Sequence, residues 1–288
     1  MGRKRQRRDE TTAGEPTSSG TGKRKGSRPK PAGVHEGTWQ TDTGEVRLEA
    51  DPYAPGSWTL YVNGVPSSHV DPEHPERLDF EYMRWMACVI RAGFDTTQRL
   101  RALHLGGGAC SIARWIHWAY PDSRQVVVEL DGRLTVLVRE WFDLPSAPLL
   151  RIRPGDAGQV LPTLTEDTRD VIIRDVFAGD STPETLTTES FHREAARVLA
   201  PGGLYLLNVG DRPDRSNTRR EAQILRGIFP HVAAIADPAM LKGRRRGNVV
   251  LAASASELPL GAGLKRSLLA DALPANVWGA QELTRFLG

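Results

Sequence analysis

Two hydrophobic periods divide the chain, and the point where one gives way to the other marks its organisation. Apolar and polar residues alternate in EVRLEA and WTLYV, which predicts antiparallel strands over 45–50 and 58–62. The Pro- and Gly-rich segment DPYAPGS joins them, and Asn63-Gly64 is a hairpin signal that starts a third short strand at Val65. From Leu78 to Ala92 the spacing becomes helical, with Phe80, Met83, Trp85, Met86 and Val89 among the apolar positions. Beyond that helix, short aliphatic runs alternate with helical stretches. Strands are predicted near 101–105, 125–130, 149–153, 170–175, 203–209, 231–236 and 247–253, and helices near 111–120, 133–142, 156–163, 189–199 and 217–228. Short helices at 263–272 and 280–287 close the chain. Alternation of this kind implies a mostly parallel sheet with helices on both faces, here ending in an antiparallel hairpin.

Charge changes that picture only at the N-terminus. Residues 1–33 carry ten Lys or Arg against three acids, a net +7. The whole chain is formally +3, which leaves the remainder near −4. Between its charges this segment is Gly, Ser, Thr and Pro, so it has too little apolar surface to offset its ordering entropy. The expected organisation is a disordered basic tail over 1–36, a small β module over 37–76 and an α/β domain over 77–288. A solvating arm is the simpler use of the tail, and nucleic-acid binding enters only through it. The tail has no apolar core of a signal peptide, and no stretch is long and apolar enough for a membrane helix. Two cysteines, Cys88 and Cys110, give no disulfide framework or metal-finger spacing, which fits a reducing, cytoplasmic setting.

The chemistry concentrates in RALHLGGGACSIARWIHWAYPDSRQVVVELD, which reads as strand, glycine turn, helix, strand. Gly106, Gly107 and Gly108 let the backbone approach a ligand, and the helix N-terminus behind them is polarised positive. Glu129 stands 23 positions after Gly106 at the end of the second strand, where an acid hydrogen-bonds ribose hydroxyls. Asp131, Asp156 (in RPGDAG) and Asp175 (in VIIRDVFAGD) also fall at strand ends, which puts all four acids on one rim. Asp156 is equally well placed as a helix N-cap. The unit is that of a nucleoside-binding βαβ fold.

LHLGGGAC, VVVELD, PGDAGQVL, VIIRDVF, FHREAARVLAPGG and RRGNVVLAAS, with NGVPSSHV and LDFEYMRWM before them, resemble the spermidine synthase family of aminopropyltransferases. The likeness runs from about Trp58 to Leu251. It implies a Rossmann-like, seven-stranded methyltransferase-type sheet with a small N-terminal β-hairpin module. It also implies transfer of an aminopropyl group from decarboxylated S-adenosylmethionine to an amine such as putrescine, with no metal, in a homodimer. By that resemblance Gly106, Gly107 and Gly108 pass the methionine-like portion, Glu129 binds the ribose, and Asp156 with Ala157 binds the adenine; Asp131 joins the same set. Asp175 matches the first Asp of the family's signature, the residue that takes a proton from the attacking amine, and Tyr82, Asp79 and Asp180 are the candidates on the amine side. The chain departs from the pattern at four places. Ala178 stands for the second signature Asp, Ala109-Cys110 for Asp-Gly, Ser67 for a Gln, and Leu78-Asp79 for Asp-Glu. Glu81 is a further acid available to face a diamine.

Other readings are weaker. A nicotinamide dehydrogenase needs a third glycine where Ser111 stands. A methyltransferase using ordinary S-adenosylmethionine is the enzymatic alternative, and a catalytically silent nucleoside-binding protein the non-enzymatic one. The HVDPEH stretch (His69, Asp71, Glu73, His74) holds metal-ligand residue types, but its prolines and irregular spacing read as a polar loop. His104, Trp115, Trp118 and Trp141 read as core. The KGRRR segment at 242–246 reads as a solvated turn.

Overall fold

The computed structural model describes residues 33–179 and 181–288; the tail expected over 1–36 lies outside the described residues as far as Pro31-Ala32, and so does Asp180. Strands β1 (Gly37–Thr41), β2 (Gly44–Ala50), β3 (Trp58–Val62) and β4 (Val65–Val70) form an antiparallel meander in chain order. The sequence pattern shows three of them. GTWQT carries a single large apolar residue, too few to display a period, and Trp39 earns its place by pairing with Val46 and packing on Trp141 at 4.7 Å. Helix α1 (Glu81–Gly93) follows and buries Tyr82, Met83, Trp85, Met86, Val89 and Ile90 along one face.

The α/β part comprises β5 (Arg101–Leu105), α2 (Ser111–Ala119), β6 (Arg124–Glu129), α3 (Gly132–Trp141), β7 (Leu150–Pro154), α4 (Ala157–Val160), β8 (Arg169–Arg174) and α5 (Glu189–Val198). It continues through β9 (Leu199–Asp211), α6 (Ser216–Arg226), β10 (His231–Ala236), α7 (Pro238–Leu241), β11 (Gly247–Ser254), α8 (Ala262–Leu269), β12 (Asn276–Trp278) and α9 (Ala280–Leu287). The sheet order is β12-β10-β11-β9-β8-β5-β6-β7. All seven expected strands are present, and β11 runs antiparallel to both β9 and β10. The three residues of β12 add an eighth strand at the edge, pairing with β10. Three residues are too few to show in the hydrophobic pattern.

The central strands are buried on both faces, with Leu103, Ile172 and Leu206 fully enclosed. That explains why their sequences read as continuous apolar runs and not as alternation. The N-terminal meander turns Val46, Leu48 and Leu60 onto Leu134, Leu137 and Val138 of α3 and Ala113 of α2, so module and α/β part share one hydrophobic cluster. His104, Trp115 and Trp141 are buried as expected. Trp118 is not: it lies at the solvent border of α2, 44% exposed, with the Arg91 guanidinium 5.1 Å from its ring. The basic turn is preceded by the short helix α7, whose cap Asp237 holds Arg245.

From β5 the chain winds outward through β6 and β7, then returns to β8 on the opposite side of β5. The strand order reverses there, and a crevice opens beyond the carboxyl ends of β5 and β8.

Candidate active site

A cavity of about 900 Å³ fills that crevice, with the glycine turn, Glu129, Asp156, Ala157, Asp175 and Tyr82 all in its wall. The three glycines are required for three different reasons. Gly106 has φ +90°, and a Cβ there would collide with the carbonyl oxygen of Asp175. A Cβ on Gly107 would lie 2.6 Å from Val127, and one on Gly108 would lie 2.6 Å from the Ser68 hydroxyl. The turn is thus pressed between β8, β6 and β4, and its bare backbone forms the cavity floor. Glu129 is locked beneath it. Its Oε2 accepts the N–H groups of Gly107 (2.8 Å) and Gly108 (3.0 Å), and its Oε1 accepts that of Asp131 (3.1 Å). Three backbone donors fix the carboxylate without using all of its lone pairs.

Strand β4 grips the same turn from above. Ala109 N–H donates to the Ser68 hydroxyl (3.0 Å), and the Ser111 hydroxyl donates to the His69 carbonyl (2.7 Å). Asp131 supplies a second grip. Its carboxylate caps α3 through Leu134 N–H (2.8 Å) and accepts from Asp42 N–H (3.2 Å), Thr43 N–H (2.9 Å) and the Thr43 hydroxyl (2.7 Å). Burial opposes ionisation, yet hydrogen bonds from the Thr41–Thr43 turn and from Leu134 outweigh it and hold the carboxyl down to about 2. Asp131 therefore borders the cavity as a clasp between the two sheets, and its oxygens are already occupied. Asp156 is half-buried and caps α4 by accepting from Gln159 N–H at 3.0 Å, with Ala157 buried beside it. The cap read from the sequence is present, and the same residue lines the cavity.

Asp175 begins the loop after β8, anchored by its N–H to the Leu105 carbonyl at 2.9 Å. Its Oδ2 accepts the Tyr82 hydroxyl (2.8 Å) and its Oδ1 accepts the Asn208 side-chain N–H (3.0 Å). Burial lifts this carboxyl above its ordinary value of 3.8, against the pull of those two bonds. Burial and the neighbouring Asp175 raise the Tyr82 hydroxyl well above 10, so it stays a donor. The result is a half-buried carboxylate, fixed from two sides, in the wall of the cavity that Glu129 also lines.

On the amine side the structure separates the candidates. Tyr82 is in the wall, stacked beside Phe80 at 6.0 Å between ring centroids. Asp79 is not: α1 starts at Glu81, leaving Asp79 exposed outside the lining, with its carbonyl accepting from Arg84. Glu81 accepts from the Asn248 side chain at 3.1 Å. Ala178 lines the wall where the second signature acid would stand, and Ser67 lines it from β4. Asn208 escaped the sequence reading, although a lone amide near the end of LYLLNVG was the available signal. The HVDPEH side chains turn to local partners: His69 to Asp51, Asp71 to Arg77, and His74 to Glu76.

A switch-point cavity with a glycine floor, an acid at the end of β6 and a helix-capping acid at the end of β7 defines an α/β protein of the methyltransferase-type fold. No family model matches the sequence. A polyamine aminopropyltransferase from Neisseria meningitidis serogroup A is 30% identical over 142 residues, spanning 49% of this chain and 53% of that protein. One from Chromobacterium violaceum is 29% identical over 163 residues, 56% of this chain and 61% of that protein. The chain spans between half and two thirds of the length of these curated relatives. The crystal structure of a probable spermidine synthase from Corynebacterium glutamicum is 44% identical, with a TM-score of 0.84, covering 88% of this chain and 94% of that one. The chain belongs to the spermidine synthase family.

Proposed function

We propose that the protein is an aminopropyltransferase that uses decarboxylated S-adenosylmethionine and a primary amine such as putrescine, releasing 5′-methylthioadenosine. The observation that carries this reading is Asp175, held by Tyr82 and Asn208 at the end of β8 in the same cavity as the glycine turn and Glu129. Glu129 would bind the ribose hydroxyls, and Asp156 with Ala157 the adenine. The glycine turn would pass the chain leading to the sulfonium, along a backbone pressed so tightly between its neighbours that no β-carbon fits.

A primary amine is mostly protonated near neutral pH and cannot attack in that form. Asp175 would hold the ammonium and accept its proton. The freed nitrogen lone pair then forms the N–C bond to the carbon next to sulfur, the C–S bond breaks, and its electron pair stays on sulfur as a neutral thioether. Tyr82 and Asn208 keep the carboxylate aimed along that line, and positioning supplies much of the remaining rate. We further read the protein as a cytoplasmic homodimer without a metal, in line with its two free cysteines. Among the described residues no helix is long and apolar enough to cross a membrane.

Calorimetric titration with S-adenosylmethionine, its decarboxylated form and methylthioadenosine, followed by a putrescine assay, tests the reading. Binding of the decarboxylated form, with turnover reduced about 10²- to 10⁴-fold in Asp175→Asn, is the expected result. Preference for the carboxylated form would replace it with methyl transfer.

A further inference from the structure

Behind Asp175 lies a charge cluster that the proposed chemistry does not touch. Arg174, the last residue of β8, is fully buried, as are Glu221 of α6, His192 of α5 and Tyr205 of β9. The Arg174 guanidinium donates to both carboxylate oxygens of Glu221, the Nη2–Oε1 bond measuring 3.1 Å. His192 Nε2 sits 3.4 Å from the same carboxylate, and its Nδ1 is 3.1 Å from the Tyr205 hydroxyl. The second hydrogens of Nη1 and Nη2 go to two backbone carbonyls, Leu186 (2.9 Å) and Asn208 (3.3 Å), and the Nε–H is buried without a partner among the described residues.

Those two carbonyls border the site. Leu186 ends the segment that leaves β8 at Asp175 and lines the cavity, and Asn208 is the residue whose amide holds Asp175. A buried ion pair is weak evidence for net stability, because a well-packed apolar pair of similar volume does as well. The neighbours on β8, Ile172 and Ile173, show that the strand elsewhere takes apolar residues. What Arg174 adds over an aliphatic residue is a rigid planar fork aimed at three acceptors at once.

We propose that Arg174, oriented by Glu221, is a positioning residue that pins the Leu186 and Asn208 carbonyls and so keeps Asn208 and Asp175 in reacting geometry. The proposal rests on the aminopropyl-transfer reading for its kinetic consequence but not for its structural one. Arg174 touches no substrate in this account; it acts through Asn208.

The test is the paired variant Arg174→Met/Glu221→Met in the full chain, which leaves no buried charge unpartnered. Expected are a melting temperature within a few degrees of wild type, an unchanged KM for decarboxylated S-adenosylmethionine, and kcat lowered about 10- to 100-fold. Hydrogen exchange should accelerate at Leu186 and Thr187, whose N–H groups bond to Pro183 (2.9 Å) and Glu184 (3.0 Å), while amides on β5 and β6 keep their protection. A folded paired variant with wild-type kcat, or with unaltered exchange at those two amides, overturns the proposal. If the wild type shows no turnover, the transfer reading has failed, and the exchange result decides the positioning claim alone. Should the paired variant not fold, Arg174→Lys carries the same readouts, since an ammonium keeps the charge but cannot span three acceptors. Intermediate kcat with faster exchange then supports the proposal, and wild-type values of both overturn it.

Discussion

Replacing Asp131 by asparagine removes a charge from the clasp between the N-terminal meander and α3 while preserving the shape of the side chain. In the folded protein four donors converge on this carboxylate, and its pKa falls from 3.8 to about 2. A depressed folded pKa means that the ionised form stabilises the fold. That stabilisation is fully present above 3.8, declines as the pH falls, and is gone below about 2. The shift is worth about 2 kcal/mol at pH 7 and roughly half of that at pH 3. Urea unfolding at both pH values, followed by tryptophan fluorescence, reads the effect where it arises, because Trp39 and Trp141 pack together at 4.7 Å beside the joint. The wild type should exceed Asp131→Asn by about 2 kcal/mol at pH 7, and the gap should narrow by about half at pH 3. A gap that stays constant between the two would refute the charge argument.

Tyr82→Phe removes a hydrogen bond that favours the ionised form of Asp175, whose carboxyl burial already lifts. The acid limb of the pH–rate profile should therefore move to higher pH, and a limb that stays in place counts against the assignment. Gly106→Ala forces a Cβ onto the Asp175 carbonyl at φ +90°, with an expected loss of about 2 kcal/mol or more in thermal or urea unfolding and of nucleoside binding by calorimetry. His104 is buried neutral, with its pKa pushed down to about 4 by burial. The unfolded chain binds a proton near 6.5 that the folded one refuses, so wild-type stability should fall by about 3 kcal/mol between pH 6.5 and 4. His104→Leu should lack that part of the slope, as pH-resolved unfolding would show.

The rim of acids was legible because strand ends are punctuated: a glycine turn, Asp131 and Asp156 each stand where an apolar run stops. Period and position do not report what a carboxylate is bonded to, so Asp131 reads as a ligand contact until the Thr43 turn, 88 residues away, is seen to occupy it. Asp79 is an amine-side candidate by resemblance and charge alone; α1 starts at Glu81, three residues after the expected Leu78, and Asp79 lies outside the cavity lining. Asn208 was hidden for the opposite reason. It is one polar residue inside a run whose dominant message is burial, and its meaning comes from a neighbour across the sheet. β1 and β12 were invisible because each is short and carries few large apolar residues. The Trp118 reading failed because helical spacing alone does not say how wide a face its neighbours cover.

The reversal of strand order between β5 and β8 has an evolutionary consequence. The glycine turn, Glu129 and Asp156 stand at the ends of β5, β6 and β7, whereas the wall around Asp175 comes from α1, the segment after β8 and the end of β9. The two sets meet at one seam, where the Asp175 N–H bonds to the Leu105 carbonyl and Gly106 presses on the Asp175 carbonyl. Away from that seam the residues around Asp175 and those around the glycine turn lie on separate segments of chain, so substitutions can accumulate in one set while the other keeps its own side chains.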